Sequence, residues 1–311
     1  TAVSSTEEFG GSYSQNFQAT DLSGVTYSVN DNNFQISASG ELTNAVQLAV
    51  GSYSLTVTAT DAYANSAIQS VIVTVEDTTS PIITTGVLSA TVELGNPYTQ
   101  QIVATDLSAL TYSVDNLDFT IDSNGLLEAV LPTGTHTVTV TATDASGNTA
   151  ASTGTITIQD TTSPVFTTTA VSSTEEFGSS YSQNFHATDL SGVTYSVNDN
   201  NFQISASGEL TNAVQLAVGS YSLTVSATDS YANSAAQSIT VTVEDTTSPI
   251  ITTGVLSATV ELGNPYTQQI VATDLSALTY SVDNLDFTID SNGLLEAVLP
   301  TGAHTVTVTA T

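Results

Sequence analysis

The sequence predicts an all-β chain of tandem seven-stranded β-sandwiches arranged end to end. Three observations carry that expectation. A long internal repeat runs through the chain, short alternating apolar runs recur between turn signals, and one proline-closed acidic string returns along it.

The repeat sets the organisation. "TAVSSTEEFG" starts at Thr1 and again, unchanged, at Thr169, and the copy runs on until Thr143 aligns with Thr311. Inside each long unit lies a weaker repeat, marked by the strings "VEDTTSPII" from Val75, "IQDTTSPVF" from Ile158 and "VEDTTSPII" from Val243. Two related modules, A and B, therefore alternate. The expected divisions are 1–77 (module A, first strand missing), 78–160 (module B), 161–245 (module A) and 246–311 (module B, last strand missing). Against the complete third module the two ends are short of a strand, so the sequence reads as part of a longer periodic polypeptide, or as subunits that exchange strands.

Strand by strand, the third module offers "PVFTTTAV", "YSQNFHA", "VTYSV", "FQIS", "GELTNAV", "GSYSLTVSAT" and "AQSITVTVE". Seven short strands in about 84 residues suit an immunoglobulin-like sandwich. Alternation fixes the faces. Tyr221, Leu223, Val225 and Ala227 point inward from the sixth strand, and Ile239, Val241 and Val243 from the seventh. Differences between copies respect this: Val71/Ile239 is a core swap, and Ile72/Thr240 falls on the outward face.

Composition narrows function. The 311 residues hold 30 Asp+Glu and 0 Lys+Arg, with no Cys, Met or Trp, for a formal charge of −30. Ordinary chains carry roughly 25% charged residues of both signs. A uniformly negative surface repels nucleic acid and anionic membranes, and no apolar run is long enough for a membrane span. The missing types leave nothing for trypsin-like proteases to cut and little for oxidants to attack. An exported, extracellular material fits that set better than a general acidic bias, which would not remove every Met and Trp. Without Cys, Lys or Arg, nucleophile–base pairs and anion clamps are nearly excluded, so no enzyme is expected.

The motifs "TVELGNPYTQQIVATDLS" and "GTHTVTVTATDASGNTA", together with the pattern elements "E-[FL]-G", "A-T-D" and "V-x-V-x-D-x-x-x-P", resemble cadherin-like repeats and the bacterial immunoglobulin-like, hyalin-type repeats of surface adhesins and fibres. The resemblance covers the whole chain and implies a cell-surface, non-enzymatic role.

Sandwich topology should gather carboxylates at each module joint. The first joint would hold Glu8, Asp77, Asp106 and Asp144. The second would hold Glu93, Asp160, Asp189 and Asp229, and the third Glu176, Asp245 and Asp274. With no fixed cation to neutralise them, a divalent ion with oxygen ligands, Ca²⁺, is one solution. The resemblance implies the same places for calcium. It departs at Ser23, Ser108, Ser191 and Ser276, where cadherins carry a second aspartate, so one ion per joint is expected. The alternative is that each Asp closes a turn by accepting local backbone N–H groups. His136 and His304 stand where Tyr53 and Tyr221 stand and read as corner residues, while His186 reads as surface. Outward rows such as Thr137, Thr139 and Thr141 fill exposed strand faces or form an array for ice or glycan.

The function expected is the shaft of a surface fibre, filament or giant adhesin, its linkers rigidified by calcium. The alternative is an adhesion or recognition module, homophilic or glycan-binding. Expected partners are further copies in a fibre, the continuation of a longer repeat chain, and other cell-surface molecules.

Overall fold

A computed structural model describes residues 2–311. Every regular element among them is a β-strand. The chain forms two compact units, Thr1–Asp160 and Thr161–Thr311.

The first unit begins with β1 (Val3–Glu8), β2 (Ser14–Asn16), β3 (Val25–Val29), β4 (Phe34–Ile36), β5 (Glu41–Asn44), β6 (Gly51–Asp61) and β7 (Ser66–Glu76). One sheet has the order β1-β7-β6-β3 and the other β2-β5-β4. Tyr13, Phe34, Leu42, Leu55, Val57, Val71, Val73 and Val75 fill the space between them. Alternation explains this directly. On β6, Leu55 and Val57 face the core between Ser and Thr that face outward, and on β7 Val71, Val73 and Val75 face it, alternating with Ile72, Thr74 and Glu76 on the outer side. The same architecture recurs in the second half of the unit. The strands Thr111–Val114, Gly134–Thr143, Thr149–Gln159 and Ala90–Glu93 form its four-stranded sheet. Leu88, Tyr98, Ile102, Phe119, Leu127, Val138, Val140 and Ile156 lie in its core. These are immunoglobulin-like sandwiches.

In the second unit, Ser173–Glu176, Ser234–Glu244, Gly219–Thr228 and Thr194–Val197 form the first four-stranded sheet. Leu223, Val225, Ala227, Ile239, Val241 and Val243 are all buried there, as alternation predicts. Its second half keeps a core around Ile270, Phe287, Leu295 and Ala297. There Tyr280–Val282 pairs with Val308–Ala310 in a two-stranded sheet.

The structure corrects the first strand. Over "PVFTTTAV" only Val165–Phe166 is strand, paired with Ala187–Thr188. The amides of Thr167 and Thr168 then both turn onto the carbonyl of His186. The chain crosses to the other sheet, where Ser173–Glu176 pairs in parallel with Val241–Glu244. Its counterpart in the first unit is β1, parallel to β7 from Val3↔Val71 to Glu8↔Glu76. This strand escaped the sequence reading because "SSTEE" is polar throughout. It is held at a sheet edge by its backbone and carries no apolar alternation.

Candidate functional site

Parallel pairing brings the end of β1 and the end of β7 to the same pole, where the Asp77–Thr78–Thr79 linker leaves. Asp106 follows the strand Ala104–Thr105, and its Oδ1 accepts the amide (2.8 Å) and hydroxyl (3.0 Å) of Ser108. Asp144 follows Gly134–Thr143. Its Oδ1 accepts the amides of Ser146 (2.9 Å) and Asn148 (2.8 Å), and its Oδ2 the Asn148 side chain (2.7 Å). Asp77 Oδ2 accepts the Ser146 hydroxyl at 3.3 Å, and the Asp77 carbonyl accepts Asn148 Nδ2 at 2.9 Å. One carboxylate oxygen from each of Asp77, Asp106 and Asp144 lies within 4.8 Å of the others, with Asp144 buried. No Lys or Arg exists anywhere to compensate them.

Glu8 stands apart from that group. Its Oε1 accepts the Thr78 amide (2.9 Å), the Thr79 amide (3.1 Å) and the Thr79 hydroxyl (2.8 Å), while Oε2 accepts the Thr78 hydroxyl (2.8 Å). Those donors, the Thr78 amide foremost, hold its carboxyl below the usual glutamate range. Burial pushes the Asp144 carboxyl up, but the Asn148 side chain and the turn amides outweigh it, and the net shift is downward.

In the second unit Glu176 repeats the Glu8 arrangement on Thr246 and Thr247. With Asp245 and Asp274 it lines a cleft of about 330 Å³ that Phe177, Ile250 and Leu275 also border. Asp274 closes a turn on Ser276. Asp189 closes one on Ser191, and Asp229 accepts the amides of Tyr231 and Asn233. Asp189 and Asp229 present oxygens within 4.8 Å of each other. Asp160 is buried just after the strand Thr149–Gln159, and half-buried Glu93 ends the strand beside it, in register with Gln159.

Sequence reasoning missed Ser146, Asn148 and Asn233, which orient the aspartates. The available signal was an Asn four residues after the Asp in "TDASGN" and "TDSYAN". It also passed over Asp21 and Asp61, which make the same turn bonds to Ser23 and to Tyr63 and Asn65. The histidines behave as corner residues. His136 Nε2 lies 2.9 Å from the Pro132 carbonyl and His304 Nε2 3.0 Å from that of Pro300, as the Tyr53 and Tyr221 hydroxyls lie 3.0 Å from the carbonyls of Ala49 and Ala217. His186 is exposed, against the Thr167 hydroxyl.

Residues 76–158 match the HYR domain. The chain is also similar to solved tandem structures. Drosophila N-cadherin EC1-3 is 18% identical, covering 79% of this chain and 98% of that one with a TM-score of 0.39. Mouse cadherin-23 EC22-24 is 18% identical over 78% and 96%, with a TM-score of 0.32. Sidekick-1 immunoglobulin domains 1-4 are 16% identical over 79% and 74%, with a TM-score of 0.34. No curated protein matches the chain. Among the described residues, no helix is long and apolar enough to cross a membrane.

Proposed function

We propose that the chain is a non-enzymatic extracellular structural repeat protein. Its sandwiches, divided after Asp77, Asp160 and Asp245, form the shaft of a surface fibre or giant adhesin. The observation that carries this reading is the repeated joint. The same Glu-to-Thr-Thr contact, with the same four bonds, closes the linker after Asp77 and the linker after Asp245. A chain that repeats its joints as faithfully as its cores is selected for how its modules connect.

Asp77, Asp106 and Asp144 fit a hard divalent cation of the Ca²⁺ kind. Three carboxylate oxygens converge, two of the carboxylates are held in place by turn amides, and no side-chain cation competes. The ion would offset most of the cluster's charge and tie the linker to the following sandwich. Adding Ca²⁺ to the chelator-treated chain should raise its melting temperature, and Asp106→Asn with Asp144→Asn should abolish that rise. A melting curve indifferent to calcium would remove the cation from the proposal and leave the shaft.

A second reading, recognition through the module faces, draws on one difference between the copies. Ile68 and Ile72 are exposed on the outer face of β7, where the third module has Ala236 and Thr240. Self-association of the chain that Ile68→Ala with Ile72→Thr abolishes would favour it.

A further inference from the structure

We propose that Glu8 and Glu176 are latch residues, each clamping its Asp–Thr–Thr linker to the end of the parallel edge strand, so that the joint is held by the chain's own N–H and O–H groups with no cation.

The geometry of the strand pair makes the latch possible. Glu8 is the last residue of β1 and lies in register with Glu76, the last residue of β7. The ladder extends one step further, through the amide of Phe9 onto the carbonyl of Glu76 at 2.7 Å. Thr78 therefore begins its course beside the Glu8 side chain. Were β1 antiparallel to β7, those two ends would lie at opposite poles.

The chemistry is saturated. An ionised carboxylate offers about four lone-pair positions, and Glu8 accepts four hydrogen bonds, two from amides and two from hydroxyls, at 2.8 to 3.1 Å. Hydrogen bonds to an ionised acceptor are the stronger kind. Glu176 makes the same four bonds at 2.6 to 3.2 Å. Donors from the linker thus occupy the positions that a metal would need, which takes Glu8 and Glu176 out of the proposed cation site. The two Thr at these linker positions have a specific use, because each supplies both an amide and a hydroxyl.

The linker is gripped from both sides. Thr78 and Thr79 are held by the preceding sandwich through Glu8, while Asp77 is held by the following one through Ser146 and Asn148. Successive parts of the linker bond to opposite neighbours, Asp77 to the following sandwich and Thr78 and Thr79 to the preceding one, so rotation about the joint must break one set or the other. This holds whether or not calcium binds to the aspartates.

Amide hydrogen exchange on the full chain in excess chelator tests the proposal. The amides of Thr78, Thr79, Thr246 and Thr247 should be protected in the wild type. Glu8→Gln with Glu176→Gln should accelerate their exchange by about tenfold or more, with the core amides of Val73 and Val241 unchanged as a check on folding. Thr78→Val with Thr246→Val, which leaves the glutamates intact, should accelerate the exchange of Thr79 and Thr247. Asp106→Asn with Asp144→Asn should leave all four protected. Free exchange in the chelated wild type, or protection that follows calcium and the aspartates but ignores Glu8 and Glu176, would overturn the latch. The latter outcome would leave the calcium reading standing.

Discussion

Gly154→Val should cost more stability than its setting in a regular strand suggests, and its loss should combine less than additively with that of Leu88→Ala. Gly154 is buried in the strand Thr149–Gln159, opposite Val138. A Cβ at this position would stand 2.3 Å from the Leu88 Cβ and 2.9 Å from the Leu88 carbonyl carbon. Glycine is there to leave room for Leu88, which is 1% exposed and whose carbonyl accepts the Tyr98 hydroxyl at 3.1 Å. The equivalent position in the other module type is filled by buried Val71 and Ile239. In the third module the residue equivalent to Leu88 is Val171, which is exposed. A knob on the first segment and a hole in the last strand have been exchanged for a filled strand and an idle first segment. Expelling Leu88 loses about 1.5–3 kcal/mol of side-chain burial, and overpacking costs typically 1–3 kcal/mol. Gly154→Val should therefore destabilise this sandwich by about 2.5–6 kcal/mol. Leu88→Ala alone should cost about 2–5 kcal/mol. Because the two residues touch, the double variant should fall short of the sum by about 1–3 kcal/mol. Urea unfolding followed by NMR on Tyr98 and Val138 reads this sandwich apart from the others. Strict additivity of the two substitutions would refute the knob-and-hole account.

Further outcomes follow from the same geometry. Gly40→Ala should cost about 2–4 kcal/mol, combining a left-handed backbone penalty with a contact that has no room to relax. Gly40 has φ +83°, and its Cβ would meet the Phe17 carbonyl oxygen. Gly24→Ala, at φ +89° but with nothing nearby, should cost only the backbone penalty of about 1–2 kcal/mol. Equal losses in thermal or urea unfolding would count against this distinction. Acid should destabilise the chain: the carboxyls of Glu8, Glu176, Asp144 and Asp229 lie below their ordinary values in the folded state. A depressed folded-state pKa contributes stability that is full above the unfolded value, about 3.9 for Asp and 4.3 for Glu, and is lost as pH falls through the folded one. Melting temperature should hold near neutral pH and drop below about pH 4, and a rise over that range would contradict the assignment. At neutral pH, salt should raise the melting temperature, because screening relieves repulsion among charges that sum to −30 with no basic residue. The Tyr181 phenol, pushed up to about 12 by burial and by Glu175, should ionise well above the ordinary tyrosine range of about 10 in an ultraviolet titration.

The parts of this fold legible in the sequence are those written in side chains. Leu223, Val225 and Ala227 announce an inward face by alternation, and the Asp of each "ATD" announces a turn. The parts that escaped are written in backbone. "SSTEE" is a strand because β7 offers its edge, and nothing in five polar residues says so. The sequence groups Glu8 with the aspartates because both lie at one pole. Which way it turns depends on the amides of Thr78 and Thr79, and these become donors only once the linker leaves β7 beside it.

One pair of segments isolates the cause. Residues 87–94 and 255–262 have the same sequence, VLSATVEL. In the first unit Ala90–Glu93 is a strand paired in parallel with Ile156–Gln159, and Leu88 is 1% exposed. Among the described residues of the second unit, no strand lies beside this segment. The segment there is irregular, Leu256 is 37% exposed and Leu262 is 66% exposed. Local propensity is identical in the two places, so propensity cannot decide between them. The deciding term is the neighbouring strand, which supplies both the hydrogen-bonding edge and the cavity over Gly154 that accepts the leucine. Edge strands in this chain are therefore conditional elements. The strand that latches the linker is one of them, so the stiffness of a joint depends on the integrity of the last strand of the sandwich before it. Loosening β7 should release Glu8 and its linker together, although neither Thr78 nor Thr79 touches the core.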